Sequence, residues 1–441
     1  MLDRWIASHL RERFARPFVH LVFGARQTGK STLIRSLLPS DALVINLADP
    51  SERSLHLTDP GRFLADCRAL KLKAGGRFVF VDEAQTVPAI FDAVQTLYDG
   101  DKQRWRFVLC GSSARKLRRT GANLLPGRSF LHRLMPLVLA EQPPPDEPNP
   151  DADSPLPLAW PKPGRPGNLF PAWTLEERLA WGALPGVVAA DEADRAELLH
   201  AFAAVHLEEE MRREALVKDW GAFLRFLRLA AVESGQIVNY SAIAQQTGLS
   251  MPTVKNHYQL LEDMFIGVPV PAWSGSKRKN LMSAGKFLLF DLGVRHAAAG
   301  VRPSLDSVRA NPGPLFEQWV GIELWRRLQY LGTGSLHYLR TYAGAEVDYI
   351  VEHEGELTPI EVKWTDKPAL GDARHLLTFL DENRKKSRRA FIICRCRRPM
   401  QLHDRVTAIP WHCLGAGTML FGTEGNQGNE THGMEGNGVQ D

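Results

Sequence analysis

A short glycine-bounded segment near the start of the chain has the residue types and spacing of a phosphate-binding loop. The segment GARQTGKS runs from Gly24 to Ser31, between an apolar run (Val19 to Phe23) and a stretch with apolar residues at helical spacing. In such a loop the backbone N–H groups surround the phosphates, Lys30 reaches the β and γ phosphates, and the serine hydroxyl binds Mg²⁺. A chance match is the alternative, and the strand–loop–helix context favours a nucleotide. The predicted nucleotide contacts are Gly24, Ala25, Arg26, Gln27, Thr28, Gly29, Lys30, Ser31 and Thr32.

An acidic pair further along the chain agrees with this loop. The apolar run FVFV ends in Asp82 and Glu83. At the end of a strand, Asp82 would hold Mg²⁺ through water, together with Ser31, and Glu83 would polarise the attacking water. A third apolar run, WRFVLCG, leads to Ser113, which is placed to contact the γ-phosphate or that water. An acidic pair at a strand end is common by itself, so its weight comes from the agreement with the loop.

Acidic residues and a lysine recur far downstream, in GAEVDYIVEHEGELTPIEVK. Successive side chains of a strand point to opposite faces, so Glu361 and Lys363 are expected to share one face. On the preceding strand, Glu346 and Asp348 are expected to be exposed together. The residues expected to pack inward are Val347, Tyr349 and Val351 on that strand and Ile360 and Val362 on the next. Both a charged sheet edge in water and a chemical site fit this pattern.

The order of apolar runs predicts the elements that position these residues. Apolar runs that alternate with helical patterns predict an α/β domain whose parallel sheet has helices on both faces. Proline dominates the following stretch, which is expected to be an exposed insertion. The predicted organisation is 1–140 as the P-loop domain, 141–174 as the proline-rich insertion, 175–232 as a helical region, 233–311 as a winged helix-turn-helix, 312–414 as a domain of helix, strand, strand, helix and strand, and 415–441 as a disordered tail.

The middle of the chain contains a candidate nucleic-acid reader. A short helix, a turn at Gly248 and a second helix begun by Ser250 and Pro252 can be read from the sequence. The second helix is expected to bury Val254, Tyr258 and Leu261 and to expose Lys255, Asn256 and Gln259 as possible DNA contacts. Lys277, Arg278 and Lys279 lie in the predicted wing and would contact phosphates. Packing against protein is the equally weighted alternative.

Composition limits the remaining choices. The chain of 441 residues carries a formal charge of +4, which is too small to mark a nucleic-acid binder, although Lys and Arg gather in local runs. Five scattered cysteines predict reduced thiols rather than a disulfide framework. The first residues form a charged amphipathic pattern, and no apolar run is long enough to span a membrane. We therefore expect a cytoplasmic protein without a membrane partner.

In its ordered set of motifs the chain resembles the prokaryotic AAA-type ATPase family that pairs a P-loop core with a C-terminal domain of unknown function. The motifs are GARQTGKST, VDEAQ, CGSSARKL, LLPGRSF with MPLVLAE, GALPG, KFLLFDLG and GAEVDYIVE with PIEVKW, from about Arg4 to Trp411. The resemblance implies ATP and Mg²⁺ as ligands, Asp82 and Glu83 as the Walker B pair and Ser113 as a sensor-like residue. It makes Arg128 the arginine-finger candidate, which would act from a neighbouring subunit or domain and so implies assembly, such as a homo-oligomer. A surface arginine, or one paired to an acid, is the equally weighted alternative. Ala25 and Thr28 depart from the family's usual proline and aliphatic residue.

The downstream acids and lysine also resemble the PD-(D/E)xK nuclease pattern, with a restriction-endonuclease-like fold. The resemblance implies that Asp348 and Glu361 hold a second Mg²⁺ or Mn²⁺ and that Lys363 orients or activates the attacking water. Glu317, on the helix before, matches an extra acidic position of some such folds. Domains of this kind often keep the fold and lose the cutting activity, so cleavage is a weaker expectation than the fold.

Three functions follow from these patterns. The first is an ATP-hydrolysing protein that couples its nucleotide state to DNA or partner binding through the winged helix and the nuclease-like domain. The second is a nucleotide-dependent switch or scaffold whose C-terminal domain binds a protein partner without cutting. The third, a metabolic kinase, ranks last because nothing after the P-loop resembles a lid over a small substrate.

Overall fold

The computed structural model describes most of the chain. The described residues are 2, 4–71, 73–112, 127–142, 144–145, 170–207, 211, 219–274, 284–341 and 344–415. Most of the proline-rich insertion and the tail after 415 lie outside this set, so the predictions made for them are not addressed by the structure. Among the described residues no helix is both long and apolar enough to cross a membrane.

The amino-terminal part contains a parallel sheet of five strands in the order β2-β3-β4-β1-β5. All its neighbouring strands run parallel. The strands are β1 (Val19–Phe23), β2 (Leu43–Asn46), β3 (Arg77–Asp82), β4 (Trp105–Gly111) and β5 (Ser129–Arg133). The continuous apolar runs are explained by this arrangement, because a strand in the middle of a covered parallel sheet is buried on both faces. The predicted α/β P-loop core with a parallel sheet is confirmed.

Helices cover both faces of this sheet. The helices are α1 (Ala7–Phe14), α2 (Lys30–Leu37), α3 (Pro50–Thr58), α4 (Arg62–Ala69) and α5 (Ala89–Gly100). On one face Phe14 and Ile34 pack against Val22 and Phe80. On the other face α4 and α5 pack against the odd-numbered residues of β1. The alternation of strand side chains therefore divides the core into two layers.

The middle part is helical and ends in a small antiparallel sheet. Its elements are α6 (Leu175–Trp181), α7 (Pro185–Val188), α8 (Glu192–Ala201), a π-helical stretch (Phe202–Leu207), α9 (Trp220–Val232), α10 (Tyr240–Thr247), α11 (Met251–Asp263), β6 (Gly267–Val270), β7 (Lys286–Leu289), α12 (Leu292–Ala298) and α13 (Leu305–Ala310). Gly248 ends α10 with a φ of 73°, and the Ser250 hydroxyl caps α11 by accepting a hydrogen bond from the Thr253 N–H. Helix, turn, helix and hairpin thus occur in the predicted order, while the winged-helix assignment stays a prediction.

The carboxyl-terminal part is built on a second, mixed sheet of six strands in the order β12-β13-β11-β10-β9-β8. Its elements are α14 (Pro312–Leu331), β8 (Ser335–Arg340), β9 (Glu346–His353), β10 (Glu356–Val362), α15 (Arg374–Glu382), β11 (Ala390–Cys394), β12 (Met400–His403) and β13 (Val406–Pro410). The predicted helix, strand, strand, helix and strand correspond to α14, β9, β10, α15 and β11. Three further strands, β8, β12 and β13, extend the sheet beyond those expected. The nuclease-like fold assignment stays a prediction.

Strand β9 differs from the alternation expected for it. Val347 packs with Ile350 in the core beneath α15, whereas Tyr349 and Val351 belong to the core shared with α14. The pairing with β8 shifts register between His337, opposite Ile350, and Leu339, opposite Val347. Such a bulge adds one residue and changes the face of every residue before it. The expectation that Val347 shares a face with Tyr349 is therefore wrong.

Both acids of this strand, Glu346 and Asp348, were expected to be exposed, and this is wrong for Asp348. The Glu346 side chain is 40% exposed, but Asp348 retains only 8% of its accessible surface. Asp348 lies at the bulge, and the sheet around it is covered by helices on both sides. An isolated strand pattern cannot reveal this second layer, because a residue's burial depends on which helix packs over it.

Helix α14 joins the three parts of the protein. Its Glu323 carboxylate accepts a hydrogen bond from the Leu139 N–H at 3.0 Å. Its Arg326 guanidinium donates to the carbonyl oxygens of Leu137 at 2.8 Å and Phe290 at 2.7 Å. Residues 137 and 139 follow β5 of the first sheet, and Phe290 follows β7 of the middle part. The helix therefore ties the carboxyl-terminal part to both other parts through buried polar contacts.

Candidate functional site

The glycine-bounded loop lies between β1 and α2, as the sequence predicts. A Cβ atom on Gly24 would overlap the carbonyl oxygen of Leu134, so only glycine fits where the chain leaves β1. Gln27 has a left-handed φ of 59°, which is uncommon for a residue with a side chain. The loop therefore has a specific folded shape enforced by the segment after β5.

Lys30 closes the loop on itself. Its ammonium group donates hydrogen bonds to the carbonyl oxygens of Gly24 and Ala25, each at 2.8 Å. The Thr28 hydroxyl also donates to the Ala25 carbonyl, at 2.9 Å. The side chains of Thr28 and Lys30 therefore hold the loop in its shape. The positive charge of Lys30 lies at the amino end of α2, where backbone N–H groups also favour an anion.

Arg4, which was not among the predicted site residues, binds the loop from the segment before β1. Its guanidinium donates to the Thr28 carbonyl at 2.6 Å, to the Met135 carbonyl at 2.8 Å and to the Glu141 carboxylate at 2.8 Å. Arg4 and Glu141 are both buried. A residue near the chain start thus connects the loop to the segment that follows β5, and no local sequence signal predicts such a distant contact.

Ser31 and Asp82 come together at the mouth of the loop, as expected for a Mg²⁺ site. The Ser31 hydroxyl donates to Asp82 Oδ1 at 2.8 Å, and the Cys110 thiol donates to the same oxygen at 2.9 Å. Burial, followed by Asp82, raises the pKa of Cys110 well above its ordinary value, so this thiol keeps its proton and remains a donor. A hydroxyl and a carboxylate are oxygen ligands of the kind that Mg²⁺ prefers.

Glu83 is held beside this pair by a residue that the sequence analysis did not select. Glu83 follows β3 with a left-handed φ of 54°. The Gln85 amide donates to Glu83 Oε2 at 2.5 Å and to the Ser112 hydroxyl at 3.3 Å. A Cβ atom on Gly111 would overlap Gln85 Oε1, so glycine leaves the space that this amide fills. The only sequence signal for Gln85 was a polar residue in VDEAQ, two positions after Glu83.

These residues surround an open cleft of about 490 Å³. Its lining residues are Arg26, Gln27, Gly29, Lys30, Ser31, Thr32, Ala48, Pro50, Arg53, Glu83 and Thr86. The remaining predicted loop residues, Gly24, Ala25 and Thr28, form the inner part of the loop through the contacts described above. The cleft is large enough for a ligand of nucleotide size. Sequence reasoning missed Arg53, whose guanidinium donates to the Leu47 carbonyl at 3.3 Å.

Two further predicted catalytic residues are not brought to this cleft by the described chain. Ser113 lies outside the described residues. Arg128 precedes β5, and its carbonyl accepts a hydrogen bond from the Val19 N–H, which places it at the opposite end of the sheet from the loop. Its guanidinium forms an ion pair with Asp99 at 2.6 Å. Arg128 could therefore serve as an arginine finger only for a neighbouring subunit, and that role stays a prediction.

The candidate DNA-reading face has mixed charge. In α11, Val254, Tyr258 and Leu261 are buried, while Lys255 and Asn256 are exposed as expected. The exposed Gln259 amide donates to Glu262 at 3.4 Å and to Asp263 at 3.3 Å. These two acids lie where a DNA phosphate would be repelled. The predicted wing residues Lys277, Arg278 and Lys279 lie outside the described residues.

The downstream acids and lysine do meet in the carboxyl-terminal part. Asp348 Oδ2 accepts a hydrogen bond from the Val362 N–H at 2.8 Å, which joins β9 to β10. The Lys363 ammonium donates to Glu361 Oε1 at 2.7 Å. Glu317 of α14 instead binds Lys286 of β7 at 2.9 Å. Lys286 was not selected from the sequence, where it is one cation before an apolar run.

Burial dominates the electrostatics of this acidic pocket. It raises the pKa of Asp348 well above its ordinary value, with Glu361 and Glu317 adding to the shift. It also raises the pKa of Glu361, although Lys363 opposes the effect. Within the described ranges no group of three or more His, Cys, Asp or Glu side chains is arranged to hold a metal ion. The predicted second Mg²⁺ or Mn²⁺ site is therefore not supported by the arrangement of these residues.

Comparisons with known families divide the chain into three matched segments. The family model described as an AAA domain matches residues 16–142. Two families, each described as a domain of unknown function, match residues 172–305 (DUF8612) and 312–414 (DUF4143).

Three bacterial relatives similar in sequence are named as uncharacterized proteins. Protein Rv2008c of Mycobacterium tuberculosis is 24% identical over 364 residues, which cover 82% of this chain and 74% of the relative. A protein of Haemophilus influenzae is 24% identical over 390 residues, covering 83% of this chain and 88% of its own. The solved structure of protein VC1899 from Vibrio cholerae is 15% identical and covers 90% of this chain and 95% of its own, with a TM-score of 0.18. The AAA match, the loop, the acidic strand end and the parallel sheet together support an AAA-type P-loop ATPase domain in residues 16–142.

Proposed function

We propose that this protein binds ATP with Mg²⁺ in the cleft beside Lys30 and hydrolyses it. The observation that carries the proposal is the 2.8 Å hydrogen bond between the Ser31 hydroxyl and Asp82, with Glu83 lining the same cleft. It brings together residues 51 positions apart in the chain, in the combination that phosphoryl transfer requires.

Each residue of the cleft has a distinct role in this proposal. The loop N–H groups and Lys30 bind the phosphates, and Ser31 and Asp82 hold Mg²⁺, which neutralises charge on the phosphate oxygens. Glu83 accepts a hydrogen bond from the attacking water and orients it. Gln85 positions the Glu83 carboxylate through the 2.5 Å hydrogen bond. Ser113 and Arg128 are kept as proposed sensor and finger residues, the latter acting between subunits of a homo-oligomer.

Two substitutions test this proposal. We expect Lys30→Ala to abolish hydrolysis and weaken ATP binding, because the phosphates lose their cation. We expect Glu83→Gln to keep ATP binding and to trap ATP, because only the activation of water is lost. Lys102→Ala is the matched control, since Lys102 is exposed and away from the cleft. Hydrolysis by Lys30→Ala at the parent rate would show that the loop is not the catalytic site.

We further propose that the nucleotide state is coupled to DNA or to another partner. Support for coupling comes from α14, which contacts the segment after β5 that also holds the loop through Arg4. Exposed Lys255 and Asn256 favour DNA, whereas Glu262 and Asp263 beside Gln259 disfavour it. The alternative is a switch or scaffold that binds a protein partner.

The rate of ATP hydrolysis distinguishes a DNA-coupled machine from a switch or scaffold. A DNA-coupled machine should hydrolyse ATP faster when duplex or single-stranded DNA is added, and a switch should hydrolyse it slowly in both conditions. Replacing Lys277, Arg278 and Lys279 with alanine should weaken DNA binding and flatten its dependence on salt. An unchanged salt slope would assign the middle part to protein binding.

Nucleic-acid cleavage in the carboxyl-terminal part is a second candidate, favoured only by the meeting of Asp348, Glu361 and Lys363. The described side chains do not form a metal site, so no cleavage step is derived from them. The test is incubation with single-stranded, duplex and branched DNA or RNA in Mn²⁺, beside an Asp348→Ala, Lys363→Ala double variant. Cleavage that persists in the double variant would exclude this site as its source.

A further inference from the structure

A lysine from the middle part of the protein lies among the acids of the carboxyl-terminal part. Lys286, the first residue of β7, places its ammonium 2.9 Å from Glu317 and 3.6 Å from Glu346. The ammonium also lies 5.3 Å from the ring centre of Tyr338 and 5.8 Å from that of Tyr349. Its side chain is only 5% exposed. Carboxylates and aromatic rings thus enclose a buried cation.

The acids of this pocket interact with one another as well as with Lys286. Burial lowers the pKa of Lys286, but Glu317, Asp348 and Glu346 together raise it above its ordinary value. Burial, followed by Glu361 and Glu317, raises the pKa of Asp348. Lys363 neutralises Glu361 from the other side, at 2.7 Å. Four carboxylates therefore share two ammonium groups, which come from different strands.

One oxygen of the pocket remains without a partner. Glu361 is 8% exposed, and its Oε2 is a buried atom that accepts no hydrogen bond from the described residues. A buried carboxylate oxygen without a donor is costly unless a cation or water meets it. Glu361 Oε2 can therefore still accept a hydrogen bond or a cation, beside carboxylates that bind lysines.

The strand that carries Lys286 is fixed to the carboxyl-terminal sheet. The Tyr338 hydroxyl donates to the Ala284 carbonyl at 2.8 Å, two residues before Lys286. The Tyr338 N–H donates to the Pro271 carbonyl at 3.1 Å, and the Trp273 N–H donates to the Tyr338 carbonyl at 2.6 Å. Withdrawal of the ammonium thus requires that the β6–β7 hairpin separate from β8.

We propose that Lys286 takes the place of a divalent cation in this acidic pocket and that the docked hairpin thereby prevents Mg²⁺ or Mn²⁺ from binding there. When the ammonium is removed, the carboxylates of Asp348, Glu361 and Glu317 are free to approach a divalent cation. The proposal agrees with the observation that, within the described residues, no three or more His, Cys, Asp or Glu side chains are arranged to hold a metal ion. It is independent of ATP hydrolysis, which the cleft beside Lys30 performs in the proposed function.

The test measures Mn²⁺ binding to the full chain without nucleotide, from the electron paramagnetic resonance signal of free Mn²⁺. Lys286→Met removes the charge and keeps an apolar side chain of similar length. We expect it to bind Mn²⁺ roughly tenfold or more tightly than the parent, because a cation no longer competes for the same carboxylates. Adding Asp348→Asn to this variant should remove the gain. Lys367→Met, at an exposed lysine of the same domain, should behave like the parent.

Equal Mn²⁺ binding by the parent and a folded Lys286→Met variant would overturn the proposal. A second measurement applies if that variant does not fold. The melting temperatures of the parent and of Asp348→Asn should respond equally to added Mn²⁺, because the parent pocket is closed to the ion. A Mn²⁺-dependent rise in the parent that disappears in Asp348→Asn would show that the docked lysine does not block the site.

Discussion

Two buried carboxylates, one in each of the two large sheets, have very different neighbours. Asp82 ends β3 and accepts hydrogen bonds from the Ser31 hydroxyl and the Cys110 thiol, both neutral donors of its own domain. Asp348 lies in β9 within a group of acids that binds two lysines, one of them from another part of the chain. Both carboxylates are buried. Asp82 is 5% exposed and is followed by Glu83, which lines the open cleft, whereas Asp348 is 8% exposed beneath covering helices.

The difference shows that residue type and strand position do not by themselves make a cation site. Asp82 is paired with a cation only at long range, the half-exposed Arg35 guanidinium at 4.0 Å, whereas Lys286 and Lys363 bind the acids around Asp348 at 2.9 and 2.7 Å. The negative charge of Asp82 is therefore less neutralised and more available to an incoming cation. The four predictions below test this contrast, in order of decreasing expected effect.

The largest effect is expected where a cation holds the nucleotide loop in place. Arg4→Met removes the hydrogen bonds to Thr28 and Met135 and leaves Glu141 as a buried, unpaired charge. We expect the free energy of unfolding to fall by about 3–5 kcal/mol. Chemical denaturation measures it, with Arg11→Met at an exposed position of α1 as the control. A loss equal to that of the control would mean that this ion pair does not stabilise the fold.

The second prediction concerns Asp82, the buried carboxylate next to the cleft. Asp82→Asn keeps the size of the side chain but removes the charge that would hold Mg²⁺. We expect the rate of ATP hydrolysis to fall by roughly 100-fold or more. Asp92→Asn, on the exposed side of α5, should retain the parent rate. Unimpaired hydrolysis in the Asp82→Asn variant would contradict the proposed difference between Asp82 and Asp348, because Asp82 would then not contribute to catalysis.

The third prediction concerns the position of Glu83. Gly111→Ala places a methyl group on Gln85 Oε1, so the amide that holds Glu83 must move. We expect unfolding to become easier by about 1–3 kcal/mol, and kcat to fall more than KM rises. Gly100→Ala is the matched control, because a Cβ atom there meets no neighbour within 4 Å. If both variants kept the parent kcat, the Gln85 contact would be irrelevant to catalysis.

The smallest effect is expected at Glu262, a partly buried acid in α11. Burial, followed by Asp263, raises the pKa of Glu262 from 4.5 to about 7. Because the folded state favours the protonated form, the contribution of this group to stability is complete below pH 4.5 and is lost as the pH rises through about 7.

Glu262→Gln should therefore gain in melting temperature relative to the parent between these two pH values. Glu356→Gln, at an exposed position, should show no such trend. A parallel pH dependence of the parent and the Glu262 variant would show that this carboxyl titrates normally.

The amino-terminal site was largely predictable from the sequence because its signals are local. The loop is defined by spacing over eight residues, and continuous apolar runs identify strands covered on both faces. Strands of a parallel sheet end at a common edge, so the end of β3 had to lie near the loop that follows β1. This reasoning anticipated the meeting of Ser31 and Asp82.

Long-range packing decided the rest. A bulge opposite Tyr338, which depends on pairing between two strands, set the face of Val347. The contacts of Arg4 with Thr28 and of Lys286 with Glu317 join residues that are far apart in the chain. Nothing in the local pattern of a strand or helix specifies which distant charge will face it. The sequence therefore determined where the chemical groups lie along the chain. The tertiary structure decided which carboxylate lies beside the cleft and which lies among lysine-bound acids, because neutralisation depends on distances that only the packed fold defines.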